Sequence, residues 1–241
     1  MDLHVPELAA QLLPGQFIQI SVGAGGQDPL LRRPFGYLAR DAAAGTIGIL
    51  VQIVGRGTAL LRAAQAGATL SVLGPLGRGF NLDPPGTALL VGGGLGVVPL
   101  LDLAAALLAR RVSVTFIYAA RTKEQLYALD ELQRLGLEPI LATDDGSAGL
   151  RGTAVDAVAG RVARDYRFFY ACGPRPMLVR VREEMEKAGV PGELSLEERM
   201  ACGFGACLGC VVPVRGPQGT AYKRVCAEGP VFPAAEVILD V

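Results

Sequence analysis

The sequence predicts three modules in series: an antiparallel β-barrel over residues 1–84, an α/β domain with a parallel sheet over residues 85–189, and a small cysteine-rich module over residues 190–241. Three observations predict this order. Short runs of Ile, Val and Leu between glycine and proline turns fill the first part, and strand and helix patterns alternate in the second. Four of the 5 cysteines lie in the third.

The composition excludes several classes of protein. Of the 241 residues, 51% are hydrophobic and 19% are charged, which is too apolar for a disordered chain. The 23 basic side chains balance the 23 acidic ones, so charge gives no reason to expect nucleic acid or an acidic membrane as a partner. The first residues lack the basic region of a secretory signal, and we therefore expect a cytoplasmic protein.

The first module carries four predicted strands, at residues 16–22, 36–40, 46–54 and 69–73. Their close spacing between Gly, Pro and Asp clusters is typical of an antiparallel barrel or sandwich. His4 is the single histidine in the sequence and lies near the N-terminus, which we expect to be frayed. We find no Ser–His–Asp set that would make a self-contained active site.

A stretch at residues 86–109 is almost long enough to cross a membrane, and Asp102 is its only charged residue. Glycines and Pro99 interrupt it, however, and divide it into a short strand, a turn and an amphipathic helix. We therefore expect a buried strand–turn–helix unit and no membrane segment.

The second module alternates strands and helices. Strands are predicted at residues 87–91, 113–119, 139–143 and 168–171, and helices at residues 97–111, 122–135, 153–159 and 176–187. Thr122 opens a capping-box pattern, Pro99 sits in a first helical turn, and Gly189 ends the last helix. Such alternation predicts a parallel sheet with helices on both faces.

The most specific motif is the spacing C-x4-C-x2-C-x15-C of Cys202, Cys207, Cys210 and Cys226. The first three cysteines match the loop of plant-type ferredoxins, and the glycines between them let the chain curl so that backbone N–H groups point at the sulfurs. We therefore expect a [2Fe–2S] cluster. A zinc site, a disulfide framework and buried free thiols are the alternatives, although zinc favours two short cysteine pairs.

A glycine-rich turn follows the first α/β strand and contains Gly92, Gly93, Gly94 and Gly96. Amide groups and a helix N-terminus at such a turn could hold a pyrophosphate. The dinucleotide fingerprint G-x-G-x-x-G is not met, so a turn that merely packs the helix on the sheet is the alternative.

Two more turns follow predicted parallel strands and should lie along the same edge of the sheet, where α/β proteins bind ligands. One contains Asp144, and the other begins with Cys172, Gly173 and Pro174. Three such turns on one edge favour a nicotinamide site. Cys172 either lies against the nicotinamide ring or is a small buried residue at the end of a strand.

The order of several motifs resembles the ferredoxin-reductase superfamily, in which a flavin-binding barrel precedes a nicotinamide-binding domain. The motifs are RPFG at 33–36, GRGT at 55–58, GPLG at 74–77, GGGLGVVPL at 92–100 and ACGPRPM at 171–177. The blocks SLEERMACGFGACLGC at 195–210 and CAEGPVF at 226–232 narrow the resemblance to the electron-transfer subunits of NAD-dependent dihydroorotate dehydrogenases.

This resemblance implies FAD, NAD and a [2Fe–2S] cluster as cofactors. It places the flavin contacts on Arg33, Pro34, Phe35, Gly36, Leu50, Val51, Gln52, Gly57 and Thr58. Arg33 could pair with a flavin phosphate. The chain departs from the family at Gly36, where Ser or Thr is common, and at Val51 and Gln52, where Tyr and Arg are common. Its N-terminal part is also shorter, so a barrel strand could be missing or rebuilt.

The resemblance also implies a partner, an FMN-containing catalytic subunit that oxidises dihydroorotate to orotate in pyrimidine biosynthesis, in a heterotetramer with two copies of each chain. Phe204 and Leu208 could contact this partner or cover the cluster. Arg121 could favour NADPH, but the resemblance favours NADH. The alternatives are a reductase subunit of a hydrogenase or of a ferredoxin-dependent transhydrogenase, and a non-catalytic zinc-binding or redox-sensing module.

Overall fold

The structure is a computed structural model that describes residues 1–22, 28–159 and 166–239. In these ranges the strands form two small antiparallel sheets, one large and mostly parallel sheet, and a separate hairpin.

The first module contains β1 (Asp2–His4), α1 (Pro6–Gln11), β2 (Phe17–Ile20), β3 (Arg33–Gly36), β4 (Ala39–Asp41), β5 (Thr46–Gly48), α2 (Arg56–Ala63) and β6 (Val72–Leu76). Among the described residues, its strands pair antiparallel in the orders β1-β5-β4 and β3-β2-β6. Ile18, Ile20 and Ile47 are fully buried between the two sheets. The predicted antiparallel β module is confirmed.

Three predictions for this module are wrong. Residues 36–40 do not form one strand, because β3 ends at Gly36 and β4 begins only at Ala39. The chain is not frayed at His4, because β1 pairs with β5 and places His4 opposite Thr46, while Leu3 is buried in the barrel core. Residues 46–54 do not form one strand either. Strand β5 is short, and helix α2 follows it.

The second module contains β7 (Ala88–Gly93), a 3₁₀ turn (Gly94–Gly96), α3 (Val97–Ala109), β8 (Val114–Ala120), a second 3₁₀ turn (Lys123–Gln125), α4 (Leu129–Arg134), β9 (Ile140–Thr143), β10 (Leu150–Arg151), α5 (Ala154–Ala159), β11 (Phe168–Cys172) and α6 (Arg175–Lys187). Its strands pair in parallel, with β7 between β8 and β11. Leu90 of β7 packs with α3, and Val91 packs on the opposite face with α5 and α6. The predicted parallel sheet with helices on both faces is confirmed.

The helix predicted at residues 122–135 is interrupted, which corrects that prediction. The buried Tyr118 hydroxyl accepts the N–H of Tyr127 at 2.8 Å, and this N–H is therefore lost to the helical ladder. Ala128 then adopts a left-handed conformation with φ 54°, and α4 begins only after it. Thr122 makes no side-chain cap.

The third part contains β12 (Gly192–Ser195), β13 (Val211–Gly216), β14 (Gly219–Arg224) and β15 (Val231–Pro233). Strand β12 pairs in parallel with β11, and β15 pairs antiparallel with β12. Over the described ranges, the large sheet thus has seven strands in the order β10-β9-β8-β7-β11-β12-β15. Strands β13 and β14 form the hairpin.

The last module shares a hydrophobic core with the α/β module. Val212, Val214 and Phe232 are buried together with Phe169 and Leu194. The module boundaries at 84/85 and 189/190 stay predictions. No helix within the described ranges has the length and apolar character needed to cross a bilayer.

Candidate functional site

A cavity of about 400 Å³ lies between the barrel and the large sheet, and this volume is typical of small-molecule sites. Seven of the nine predicted flavin contacts line its barrel wall, namely Arg33, Pro34, Phe35, Gly36, Leu50, Gln52 and Thr58. Its α/β wall includes Leu95, Val98, Pro99 and Cys172. Residues more than a hundred positions apart in the chain therefore share one cavity.

At one end of this cavity a cation lies beside a helix N-terminus. The Arg33 guanidinium lies across the first turn of α2, so that a Cβ on Gly57 would be 2.9 Å from Arg33 Nε. The Thr58 hydroxyl accepts the N–H groups of Val54 at 3.0 Å and Gly55 at 3.2 Å. An arginine beside a helix N-terminus is a combination that binds phosphate.

Of the three positions that depart from the family pattern, two line the cavity and one does not. Gly36 lines the cavity, and a Cβ there would lie 3.6 Å from Val98, which is an ordinary van der Waals contact. Gln52 is exposed at the cavity wall, whereas Val51 packs against the barrel core and does not line the cavity. The fold thus leaves room for a small side chain at Gly36 but does not require one.

The glycine turn packs tightly against β11 at one residue and leaves open space for a ligand at another. Gly96 rests on the end of β11, because a Cβ there would be 2.2 Å from the carbonyl oxygen of Cys172. Gly92 and Gly93 are buried as well. Gly94 differs, since its φ is +54° and no described residue would lie within 4 Å of its Cβ. Of the four glycines, Gly94 therefore leaves the most room for a dinucleotide.

Only two of the three predicted turns come together. The turn after β11 lies beside the glycine turn, and a Cβ on Gly173 would be 3.0 Å from the Cα of Gly93. Gly173 and Pro174 line a second cavity of about 180 Å³. Asp144 lines neither cavity, because β8 separates its turn from β7, and its own N–H donates to Ala120 at 3.2 Å.

Cys172 is 1% exposed at the floor of the larger cavity. Burial, together with the negative charge of Glu197, raises the pKa of its thiol to about 12, although a hydrogen bond with Ser195 opposes the shift. The side chain is therefore a neutral thiol at physiological pH.

Sequence reasoning missed the segment from the end of β12 to Cys202. The residues of this segment that line the larger cavity are Ser195, Leu196, Glu197, Glu198 and Met200. The surrounding protein raises the pKa of Glu197, whose side chain remains accessible to solvent. A signal was available, because β12 is a further parallel strand and its carboxyl end reaches the same edge of the sheet.

The structure brings the four spaced cysteines together. The N–H of Cys207 donates to the sulfur of Cys202, and the N–H of Cys226 donates to the sulfur of Cys210, both at 3.4 Å. Burial, and then the hydrogen-bonded thiol of Cys210, raise the pKa of Cys226 to about 12, and Cys202 adds to this shift. The cysteine distant in sequence therefore lies against Cys210 and near Cys202.

Main-chain N–H groups lower the pKa of the Cys202 thiol. Burial opposes its ionisation, but N–H groups of Cys207, Phe204 and Ala206 outweigh burial and lower the pKa of the thiol to about 6. The thiolate is the form that binds iron, and N–H groups aimed at sulfur stabilise it. In the described ranges, no three His, Cys, Asp or Glu side chains are arranged to hold a single metal ion.

Arg224 connects the cysteine loop to the hairpin. Its Nη1 donates to the carbonyl oxygen of Gly205 at 2.8 Å, and its Nε donates to Glu228 at 2.9 Å. The guanidinium lowers the pKa of the Glu228 carboxyl to about 2. This ion pair joins the loop that carries three cysteines to the turn that carries Cys226.

Three family models match successive parts of the chain. The oxidoreductase FAD-binding domain matches residues 1–80, and the oxidoreductase NAD-binding domain matches residues 90–183. The iron–sulfur cluster binding domain of dihydroorotate dehydrogenase B matches residues 197–238. The chain therefore carries domains for all three cofactors.

Known proteins resemble the chain over nearly its whole length. The electron transfer subunit of dihydroorotate dehydrogenase B (NAD(+)) from Bacillus caldolyticus is 47% identical over 94% of this chain and 87% of its own. Its counterpart from Desulforamulus reducens is 38% identical over 100% of this chain and 92% of its own. A solved structure of NADH-dependent reduced ferredoxin-NADP oxidoreductase is 31% identical, with a TM-score of 0.86 over 99% of this chain and 84% of that one. The chain belongs to the family of electron transfer subunits of NAD-dependent dihydroorotate dehydrogenase B, which are oxidoreductase components.

Proposed function

We propose that this chain carries electrons between NADH and a separate catalytic subunit that oxidises dihydroorotate, with FAD in the larger cavity and a [2Fe–2S] cluster on Cys202, Cys207, Cys210 and Cys226. One observation carries the proposal. The segment from Ser195 to Met200 lines the cavity and continues directly into the cysteine loop. One wall of the proposed flavin site thus continues directly into the proposed cluster site.

The barrel wall supplies the groups that would hold FAD. Arg33 and the N-terminus of α2 would bind the phosphates, because a guanidinium and helix N–H groups both favour anions. Phe35, Leu50 and Val98 would cover the flavin ring and exclude water, since all three line the cavity with apolar surface.

The α/β wall would hold the nicotinamide nucleotide. Gly94 leaves space where the N-terminus of α3 begins, and the turn at Gly173 and Pro174 lies beside it. The neutral thiol of Cys172 faces the flavin cavity and adds no charge there. We propose NADH as the nucleotide in preference to NADPH.

When bound, FAD exchanges a hydride with the nucleotide and single electrons with the cluster, so the cofactors supply the redox chemistry. The protein positions them. Four thiols would bind the iron, and the N–H groups of Cys207, Phe204 and Ala206 would compensate the charge on the sulfur of Cys202.

Apolar side chains around the cysteine loop support the docking of a partner. Phe204 and Leu208 are each 61% exposed and Tyr222 is 69% exposed, so none of them is buried as a cover over the cysteines. We propose that this face contacts the catalytic subunit, which would hold FMN, in an assembly with two copies of each chain. All 5 cysteines are free, in keeping with a cytoplasmic protein.

Anaerobic purification tests the cofactors. The protein should be yellow-brown, contain FAD, and hold about one iron per acid-labile sulfide. NADH should reduce the flavin faster than NADPH does. A colourless protein that contains zinc would contradict the cluster, and faster reduction by NADPH would contradict the choice of nucleotide.

Co-expression tests the partner. A chain that holds FMN should co-purify, and the complex should reduce NAD⁺ when dihydroorotate is added. The matched control is the same complex with Cys226→Ser, in which dihydroorotate should still reduce the FMN of the catalytic subunit while NAD⁺ is not reduced.

A second candidate function is the transfer of electrons to or from ferredoxin. The structural match over 99% of the chain to a ferredoxin-NADP oxidoreductase favours it. Reduction of a ferredoxin by NADH through the purified assembly, with no response to dihydroorotate, would select this candidate.

A further inference from the structure

One buried polar side chain of the barrel makes no hydrogen bond to any described residue. Gln19 of β2 is 0% exposed, yet neither its Nε2 nor its Oε1 has a hydrogen-bond partner among the described residues. A buried amide that lacks partners costs free energy. An amide in this position therefore indicates a group that binds next to it.

The position of Gln19 indicates which group this is. Its neighbours Ile18 and Ile20 point into the barrel core, so Gln19 points away from that core because side chains alternate along a strand. There it contacts the cysteine loop, where a Cβ on Gly203 would lie 2.3 Å from the Gln19 Cδ and 2.5 Å from its Nε2. Gly203 directly follows Cys202.

Gln19 also adjoins the flavin cavity. Across the β2–β3 ladder it lies opposite Pro34, which lines the cavity wall. The side chain is therefore placed between the proposed flavin site and the proposed cluster site, on the face of the barrel that the cysteine loop covers.

We propose that Gln19 is a positioning residue for the iron–sulfur cluster, whose sulfurs, or that of Cys202, accept a hydrogen bond from the Gln19 Nε2–H. Cluster and thiolate sulfurs only accept hydrogen bonds, which matches the unused donor. Such a bond stabilises the reduced cluster, which carries the greater negative charge, and so raises its reduction potential. This inference rests on the proposed cysteine ligands.

The first experiment compares Gln19→Met with the wild-type protein by potentiometric titration of the cluster, followed by EPR. Methionine keeps the length of the side chain and removes both donors. We expect a lower cluster potential and shifted g values, with an unchanged FAD content. Gln65→Met is the matched control, because Gln65 is exposed on the same module, and it should leave the potential unchanged. An unchanged potential in Gln19→Met would overturn the proposal.

A second experiment needs no variant and covers the case in which Gln19→Met does not fold. Wild-type protein is produced with ¹⁵N only in the glutamine side-chain amides, and pulsed EPR of the reduced cluster is recorded. We expect a ¹⁵N coupling from the donor nitrogen. A cluster without this coupling overturns the role of Gln19 and leaves the proposed function standing, because the cluster has then assembled on the chain. A chain that assembles no cluster overturns both.

Discussion

The large sheet and the cysteine loop lie next to each other but are held in different ways. Leu89, Val91 and Ile117 of the sheet are 0% exposed between helices on both faces. In the cysteine loop Phe204 and Leu208 are largely exposed, and the loop is held by N–H groups that donate to sulfur and by the Arg224–Glu228 pair.

The difference indicates which part of the protein depends on its cofactor for stability. Each buried apolar side chain of the sheet contributes about 2 kcal/mol, and the sheet needs no ligand to gain it. The loop has little such burial, and in metal-binding loops the ligand itself supplies much of the folding free energy. We therefore expect the sheet to persist without cofactors and the loop to lose its order when the cluster is absent.

The largest effect should come from Cys226→Ser, which removes the ligand that lies far from the others in sequence. We expect complete loss of the cluster, measured as iron content and visible absorption, with FAD content and reduction of the flavin by NADH retained. Cys172→Ser is the matched control and should keep the cluster, because Cys172 lies in the sheet. Loss of FAD together with the cluster in Cys226→Ser would show that the two regions are not independent.

The converse change is Gly96→Ala, which should weaken the sheet region and spare the loop. Its Cβ would meet the Cys172 carbonyl at 2.2 Å, so we expect a loss of about 3 kcal/mol in the free energy of unfolding, measured with urea. The Cβ of Gly94→Ala would meet open space, so this variant should lose only about 1 kcal/mol in the free energy of unfolding, because of the positive φ of Gly94. Equal costs for the two variants would refute the distinction between these glycines.

Arg33→Ala tests whether the barrel wall holds FAD through the Arg33 guanidinium. Loss of a charged hydrogen bond to phosphate costs about 2 kcal/mol, so FAD should bind about thirty-fold more weakly in a fluorescence titration. Arg32→Ala is the control, since Arg32 donates to the carbonyl of Ser71 at 2.8 Å instead. An equal loss of FAD affinity in both variants would mean that Arg33 has no special role.

The smallest effect is expected at the contact between the barrel and α3. The Tyr37 hydroxyl donates to Asp102 at 2.8 Å, and burial, followed by the charge of Asp102, raises the pKa of Tyr37 well above its usual range. Tyr37→Phe should lower the free energy of unfolding by about 1 kcal/mol at neutral pH.

The pH dependence of this loss follows from the direction of the shift. The unfolded tyrosine ionises near pH 10 while the folded one stays neutral, so the contribution of Tyr37 is complete below about pH 10 and is lost as the pH rises further. Unfolding curves at about pH 7 and about pH 11 should show the difference between wild type and Tyr37→Phe closing. The exposed Tyr222→Phe is the control, and a difference that grows with pH would contradict the assignment.

Features that depend on neighbouring residues can be predicted from the amino-acid sequence. The apolar run and glycine turn predict a strand at residues 87–91 and a helix at residues 97–111, and the structure has Ala88–Gly93 and Val97–Ala109. The cysteine spacing likewise indicates the cluster loop, because three ligands on a tight loop must lie close together in sequence. These patterns are local, so they can be recognised without knowing the fold.

Features that depend on contacts between separate elements could be recognised only in the folded structure. The Tyr118 hydroxyl interrupts the predicted helix before Ala128, and β12 and β15 extend the sheet beyond the predicted α/β module. The same holds for Glu197, which enters the cavity, and for Gln19, which meets the loop at Gly203. Each of these features joins residues that local patterns do not relate, because each depends on how the folded chain packs in three dimensions.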